Sequence, residues 1–186
     1  MIPPGKEPET DLLLMEQFRK GDREAFDRIV ARHRREVYRI ARRMTGSHED
    51  ADDVTQDTFL RAYRALGSFR GESALRTWLI RIALNLSMNL GRSRSGRTVD
   101  GIDLSTLPGV VAGPSQDSEK HLLGAERDHR VRAAVDGLPP RQRQVVVLRV
   151  YEEMKFQEIA DLLECPVGTA KANFFHAVNN LRKALA

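Results

Sequence analysis

The chain has 186 residues, a formal net charge of +4 and a single cysteine, Cys165. That length holds one domain or two small ones, and one cysteine excludes an internal disulfide and a cysteine-based zinc site, as in a protein kept in a reducing cytoplasm. No apolar run approaches the ~20 residues that span a bilayer, and the opening MIPPGKEPET has no signal-peptide core, so a soluble intracellular protein without membrane insertion is expected.

Thr10 is placed to cap a short helix with Leu13, Leu14 and Phe18 as its apolar set, ended by Gly21. Asp22 starts a longer one. Phe26, Ile29, Val30, Val37, Ile40, Ala41 and Met44 recur at helical spacing, Arg32, Arg34, Arg35, Arg39, Arg42 and Arg43 line its outer face, and Gly46 closes it. Ser47 with Asp50 three residues on forms a capping-box-like start for a third helix, which Gly67 breaks. The turn SFRGE leads to Ser73, the expected cap of a fourth, where Leu75, Trp78, Leu79, Ile82 and Leu86 make one stripe with Arg81, Asn85 and Met88 on its flank. Four helices on one core are predicted.

From Gly91 to about Gly124 periodicity gives way to Gly, Ser, Pro and Asp, at a length beyond ordinary intradomain loops. A tether between two domains is the expected meaning. Val131, Ala134, Val135 and Leu138 then predict a helix that ends before Pro139. Residues 141–151 come next; VVVLRV fits a buried strand as well as a helix, and helix is preferred because a lone strand has no partner here. Phe156, Ile159, Ala160 and Leu163 mark a short helix, Glu164 to Pro166 a turn, and residues 168–185 a last helix with Ala170, Phe174, Ala177, Leu181 and Leu185 inward. Short helix, tight turn and longer helix make a helix-turn-helix. The predicted fold is all-α: two small helical domains, 10–91 and 126–186, joined by 92–125.

Charge segregates sharply around the third helix. Glu49, Asp50, Asp52, Asp53 and Asp57 come without a basic residue among them, while residues 58–94 carry seven arginines and one acid, Glu72. Asp53, Gln56 and Asp57, at i, i+3 and i+4, share one face. On charge alone that face is a solvated helix start or a docking surface for a basic partner; a metal site made by His48, Glu49, Asp50, Asp52 and Asp53 is a third option, which lacks EF-hand spacing. The arginine-rich stretch suits phosphate. In its loop, Phe69 and Gly71 precede a helix with polar groups on one flank, an arrangement fit to hold an unstacked base. Trp78 is assigned to the core. No Ser, His and acid set resembles a nucleophile triad, and no cofactor is expected.

The block from Ser47 to Asn89, with DVTQD at 53–57 and FRGESALRTWLIRIALN at 69–85, resembles region 2 of the bacterial sigma factors of the extracytoplasmic-function group. Residues 138–185, including PVGTAK, resemble region 4 of the same family. The resemblance implies a promoter-specificity subunit without catalysis. Its partners are core RNA polymerase (at the β′ clamp helices and the β flap), promoter DNA and an anti-sigma factor. By position it assigns Asp53, Gln56 and Asp57 to polymerase docking, with Phe59 and Tyr63 as packing. Phe69, Arg81, Asn85 and Asn89 fall to the −10 element, with Ile80 where many members have tyrosine. Arg149, Thr169, Lys171, Ala172, Asn173, Phe175 and His176 fall to the −35 element. Most members have Ser-Arg at 172–173 and arginine at 176 and 178; Ala172, Asn173, His176 and Val178 here imply lower non-specific affinity and an unusual base preference, since Asn favours adenine and an apolar group the thymine methyl. An ordinary helix-turn-helix activator explains only 126–186, and a metal-dependent enzyme only the acidic helix.

Overall fold

A computed structural model describes the backbone of residues 10–95 and 129–186 and the side chains of 10–90 and 129–186. All regular structure among these residues is helical. Among the described residues the helices form two compact units, the first made by residues 10–89 and the second mainly by residues 129–186.

The first unit contains α1 (Asp11–Arg19), α2 (Glu24–Thr45), α3 (His48–Ala65) with a 3-10 turn at Leu66–Ser68, and α4 (Leu75–Ser95). Their ends are set by local chemistry. Thr10 is extended and its Oγ1 accepts the Leu13 N–H at 3.3 Å, a cap worth about 1 kcal/mol. Gly21 turns the chain in the left-handed region, and Asp22 Oδ1 then accepts the Glu24 and Ala25 N–H groups. Gly46, at φ 76°, ends α2. Ser47 Oγ accepts the Asp50 N–H at 3.4 Å to start α3. Ser73 does not begin α4: the first helical bond runs from Trp78 N–H to the Ala74 carbonyl, one residue later than predicted.

Along α2 the predicted core is buried at Phe26, Ile29, Val37, Ile40, Ala41 and Met44, while Val30 is only half-buried, and α3 adds Ala51, Val54, Phe59 and Ala62. Thr55 and Thr58 are also buried. Their hydroxyls donate to the Ala51 and Val54 carbonyls at 2.6 and 2.7 Å, so neither is left unsatisfied. Tyr63 packs edge-to-face on both Phe26 and Phe18, with ring centroids 5.0 and 5.3 Å apart.

Two polar ties reach across this core. His33, buried on α2, lies 3.0 Å from an Asp11 carboxylate oxygen, and Arg32 donates to the other at 2.7 Å, joining α1 to α2. Burial pushes the Asp11 carboxyl up, but the bonds and charges of Arg32 and His33 outweigh it and hold it below its ordinary value. Arg76 Nε on α4 donates to both Glu36 oxygens on α2 at 2.9 and 3.0 Å.

The buried arc of α4 is wider than the predicted stripe. Ile80, Ala83, Leu84 and Met88 are buried with Leu75, Leu79 and Leu86, while Ile82 and Trp78 are only half-buried. Position 80, fully buried, packs inside and offers no surface to DNA. Met88 likewise leaves the polar flank. The helix continues to Ser95, past residue 91; the rest of the predicted tether lies outside the described residues.

The second unit contains α5 (residues 129–136), α6 (Pro140–Val146) running into a π turn at Val147–Tyr151, α7 (Phe156–Leu163) and α8 (Val167–Leu185). Pro140 opens α6, where its missing N–H costs no helical bond. VVVLRV is helical; Val145 to Leu148 are all buried, which hid the helical period. Leu138, Val146 and Ala177 cluster, with Phe174 and Leu181 packed on them. Leu162 rather than Leu163 is buried on α7. Val131 is exposed one turn before the buried Val135, and Leu185 is exposed beyond Leu181, the last side chain on that cluster. The Lys155 N–H donates to Glu158 at 2.6 Å at the start of α7, and Asn180 Nδ2 donates to Gln142 at 2.8 Å, tying α8 to α6.

Candidate docking and nucleic-acid interfaces

The acidic face of α3 is a product of the helical period. Ala51, Val54, Thr55, Thr58 and Phe59 fill the buried side, so Asp53, Gln56 and Asp57 stand together in solvent. Leu60, one turn on from Gln56 and Asp57, is 47% exposed and gives this face an apolar edge that sequence reading left out. Asp50 by contrast is buried. The entry to α3 is fixed from α2: the Tyr38 hydroxyl lies 2.6 Å from His48 Nδ1, with the two rings stacked. Among the described residues no three His, Cys, Asp or Glu side chains converge as a metal-binding group.

The loop after α3 folds back onto α4. The Phe69 N–H donates to the Leu66 carbonyl at 3.3 Å, and Gly71 takes a left-handed φ of 75°, which lets the chain reverse toward α4. Phe69 and Trp78 rings lie 4.7 Å apart. Arg19 at the end of α1 donates to the Phe69 carbonyl, fifty residues away in sequence. Together Ser68, Phe69, Arg70, Glu72, Ser73, Trp78 and Arg81 line an open cleft of about 500 Å³, two arginines against one carboxylate. Two predicted −10 residues, Phe69 and Arg81, therefore meet in one concavity. Asn85 and Asn89 do not line it; they lie exposed one and two turns further along the ridge of α4 that carries Arg81. Trp78, assigned to the core, is instead half-buried and forms a cleft wall, and Arg70 and Ser73 are also new to the site. Trp78 lies three residues before Arg81, a spacing that places both on one side of a helix, and this was the available signal.

On α8 the core side is Ala170, Phe174, Ala177 and Leu181, which leaves Thr169, Lys171, Ala172, Phe175 and His176 exposed. Asn173 is half-buried, and its Nδ2 donates to the Thr169 carbonyl at 3.0 Å. Phe175 is 63% exposed, with the His176 ring edge-on at 5.9 Å. The start of α8 is held by the Pro166 carbonyl, which accepts from the Thr169 and Ala170 N–H groups. Arg149 has internal duties: Nη1 donates to the Met154 carbonyl at 2.9 Å, and its guanidinium sits 5.2 Å from the Phe156 ring centre. It thereby braces the turn between the π segment and α7.

Two family models match: Sigma-70 region 2 over residues 29–97 and Sigma-70 region 4 over residues 128–181. The chain is 35% identical over 182 residues to the RNA polymerase sigma-H factor of Pseudomonas aeruginosa, covering 95% of this chain and 94% of that protein. It is 36% identical over 173 residues to the ECF RNA polymerase sigma-E factor of Escherichia coli K12, covering 90% of each. Among solved structures, CnrH in complex with the cytosolic domain of CnrY aligns with a TM-score of 0.66 and 28% identity, over 94% of this chain and 96% of that one. The sigma factor RpoE in complex with the anti-sigma factor NepR from Bartonella quintana aligns with a TM-score of 0.63 and 25% identity, over 86% and 96%. A match that spans both units sets aside an activator that shares only the second. The chain belongs to the extracytoplasmic-function group of the sigma-70 family, the promoter-specificity subunits of bacterial RNA polymerase.

Proposed function

We propose that Asp53, Gln56 and Asp57 dock this chain on the β′ clamp helices of core RNA polymerase, that the Phe69–Arg81 cleft with Asn85 and Asn89 captures an unpaired base of the −10 element, and that α8 reads the −35 element. The observation that carries this reading is the cleft itself. A flipped base needs an apolar wall to stack on and cationic groups near its phosphates, and Phe69, Trp78, Arg70 and Arg81 supply both. In the second unit, Thr169, Ala172, Asn173, Phe175 and His176 face the bases and Lys171 the phosphates, while Arg149 acts on the backbone from the turn it braces. The second unit also meets the β flap. The chain works in the cytoplasm as a reversible subunit and catalyses nothing itself; among the described residues no helix is long and apolar enough to cross a membrane. Control by an anti-sigma factor is proposed by analogy with RpoE, whose solved structure holds NepR.

The test joins binding to transcription. Asp53→Arg with Gln56→Ala keeps helical circular dichroism unchanged and abolishes co-purification with core polymerase, because exposed charges contribute little to folding and much to docking. Transcription by wild-type holoenzyme on a genomic library, with start sites sequenced, yields one shared −10 and −35 pair. Unchanged core binding by the folded double variant defeats the docking assignment, and start sites without a common element defeat the promoter assignment.

A further inference from the structure

The cleft depends on a loop, residues 69–74, that has no regular structure of its own. Three contacts decide where it stands. The 3-10 turn at Leu66–Ser68 leads into it and packs against α1, with Leu66 and Leu14 both fully buried. Phe69 lies on Trp78. The Arg19 guanidinium takes the Phe69 carbonyl. The last contact is the one made by a charged donor, and it grips the backbone of the residue whose side chain forms the cleft wall. A carbonyl held by a guanidinium restrains the peptide plane after Phe69, and so the backbone from which the ring projects onto Trp78.

Arg19 sits outside the span matched by the region 2 family, which begins at residue 29. Arg19 is exposed, at the C-terminal end of a nine-residue helix. That helix is itself anchored, since Asp11 at its start is bonded to Arg32 and His33 on α2. Tied to α2 at one end, α1 thus presents Arg19 to the loop at the other. We infer that Arg19 is a positioning residue for strand capture, holding Phe69 in its base-receiving orientation before DNA arrives. The inference rests on the reading of Phe69 and Asn85 as −10 contacts. It goes beyond that reading by assigning the readiness of the site to α1. Ordering a loop in advance removes its conformational cost from the binding step.

The experiment uses the full-length chain, alone and assembled with core polymerase. Trp78 is the only tryptophan in this chain and it touches Phe69, so its fluorescence and its quenching by acrylamide report the loop in the free protein. Strand capture is read in the holoenzyme with a labelled single-stranded dodecamer selected from a random pool by wild type. Arg19→Ala is expected to weaken that binding roughly tenfold, as loss of a charge-assisted bond does, to raise Trp78 quenching, and to leave core affinity near wild type. Arg19→Lys, which still donates to the carbonyl, restores most of both signals. Should Arg19→Ala fail to fold, Arg19→Met keeps the aliphatic reach, removes the donor and carries the same expectations. Wild-type binding by the Arg19 variants, alongside loss in Phe69→Ala and Asn85→Ala, overturns the inference and leaves the −10 reading standing. Lost binding with an unchanged Trp78 signal and no rescue by lysine also overturns it, because Arg19 then touches the strand directly. Wild-type binding by Phe69→Ala and Asn85→Ala overturns the −10 reading itself, and the inference with it.

Discussion

The cleft of the first unit and helix α8 of the second each carry an aromatic ring that we propose meets DNA, and they hold it in opposite ways. Phe69 is half-buried on Trp78, with its carbonyl bonded from α1. Phe175 is 63% exposed, and its ring neighbour among the described residues, His176, is next to it in sequence. The first ring is placed by tertiary structure, so its conformational cost is met when the chain folds. The second is placed only by the helix that carries it, and under the proposed role its side chain would be ordered on binding DNA, at a cost of about 0.5–1.5 kcal/mol. A base that must be pulled from a stack needs a wall already in place, whereas a groove can settle around an exposed side chain.

That contrast can be broken at several points. The largest effect is expected from Phe69→Ala: capture of single-stranded −10 DNA falls by the ~1–3 kcal/mol of one stacked base, and Trp78 becomes more exposed to quencher. An unaltered Trp78 signal would show that the ring pair does not set the wall. Phe175→Ala is expected to leave the unfolding midpoint unchanged and to cost roughly 1–3 kcal/mol at one base position of the −35 element. Binding selections that show a uniform loss across sequences, or an unfolded second unit, would mean that Phe175 packs rather than reads. Lys171→Ala gives the complementary pattern, a loss alike for all sequences and a salt slope reduced by about one; altered base preference there would move Lys171 from phosphate to base.

The smallest effect concerns acid. The Asp11 carboxyl is held below its ordinary value in the folded chain, so the stability it lends is complete above about pH 3.8 and is lost as pH falls through the lowered value. Asp11→Asn should therefore lower the unfolding midpoint at neutral pH, with the gap to wild type closing in acid. A gap independent of pH would remove Asp11 from the linkage and weaken the case that α1 is anchored there.

How much of the molecule is legible from sequence depends on the range of the interactions. The α2 core, the Gly46 stop, the Ser47 and Thr10 caps and the outward set on α8 depend on neighbours within four residues, and sequence carries them directly. The Asp11–His33 tie, the Arg19 bond to Phe69 and the Trp78 wall join residues 22, 50 and 9 positions apart, and no periodicity announces them. The predicted α4 stripe is too narrow because that helix is buried over a wide arc, which blurs the contrast that a stripe depends on. Helix and strand are equally open at VVVLRV for the same reason: a segment buried all round has no polar face to count from.

The π turn at Val147–Tyr151 bears on how this unit tolerates length changes. Its Glu152 N–H returns five residues to the Val147 carbonyl at 3.2 Å, so the helix carries one residue more than an α-helical turn would use. Each residue of an α-helix advances the chain by 100°. Deleting one residue here would let α6 continue as a regular helix, turning Arg149 away from the Met154 carbonyl and sending α7 off along a different bearing. The same deletion in the exposed last turn of α8 would displace only the few residues beyond it. The extra residue is thus stored at the bend where the aim of the recognition helix is set, and one codon there separates two geometries of the same unit.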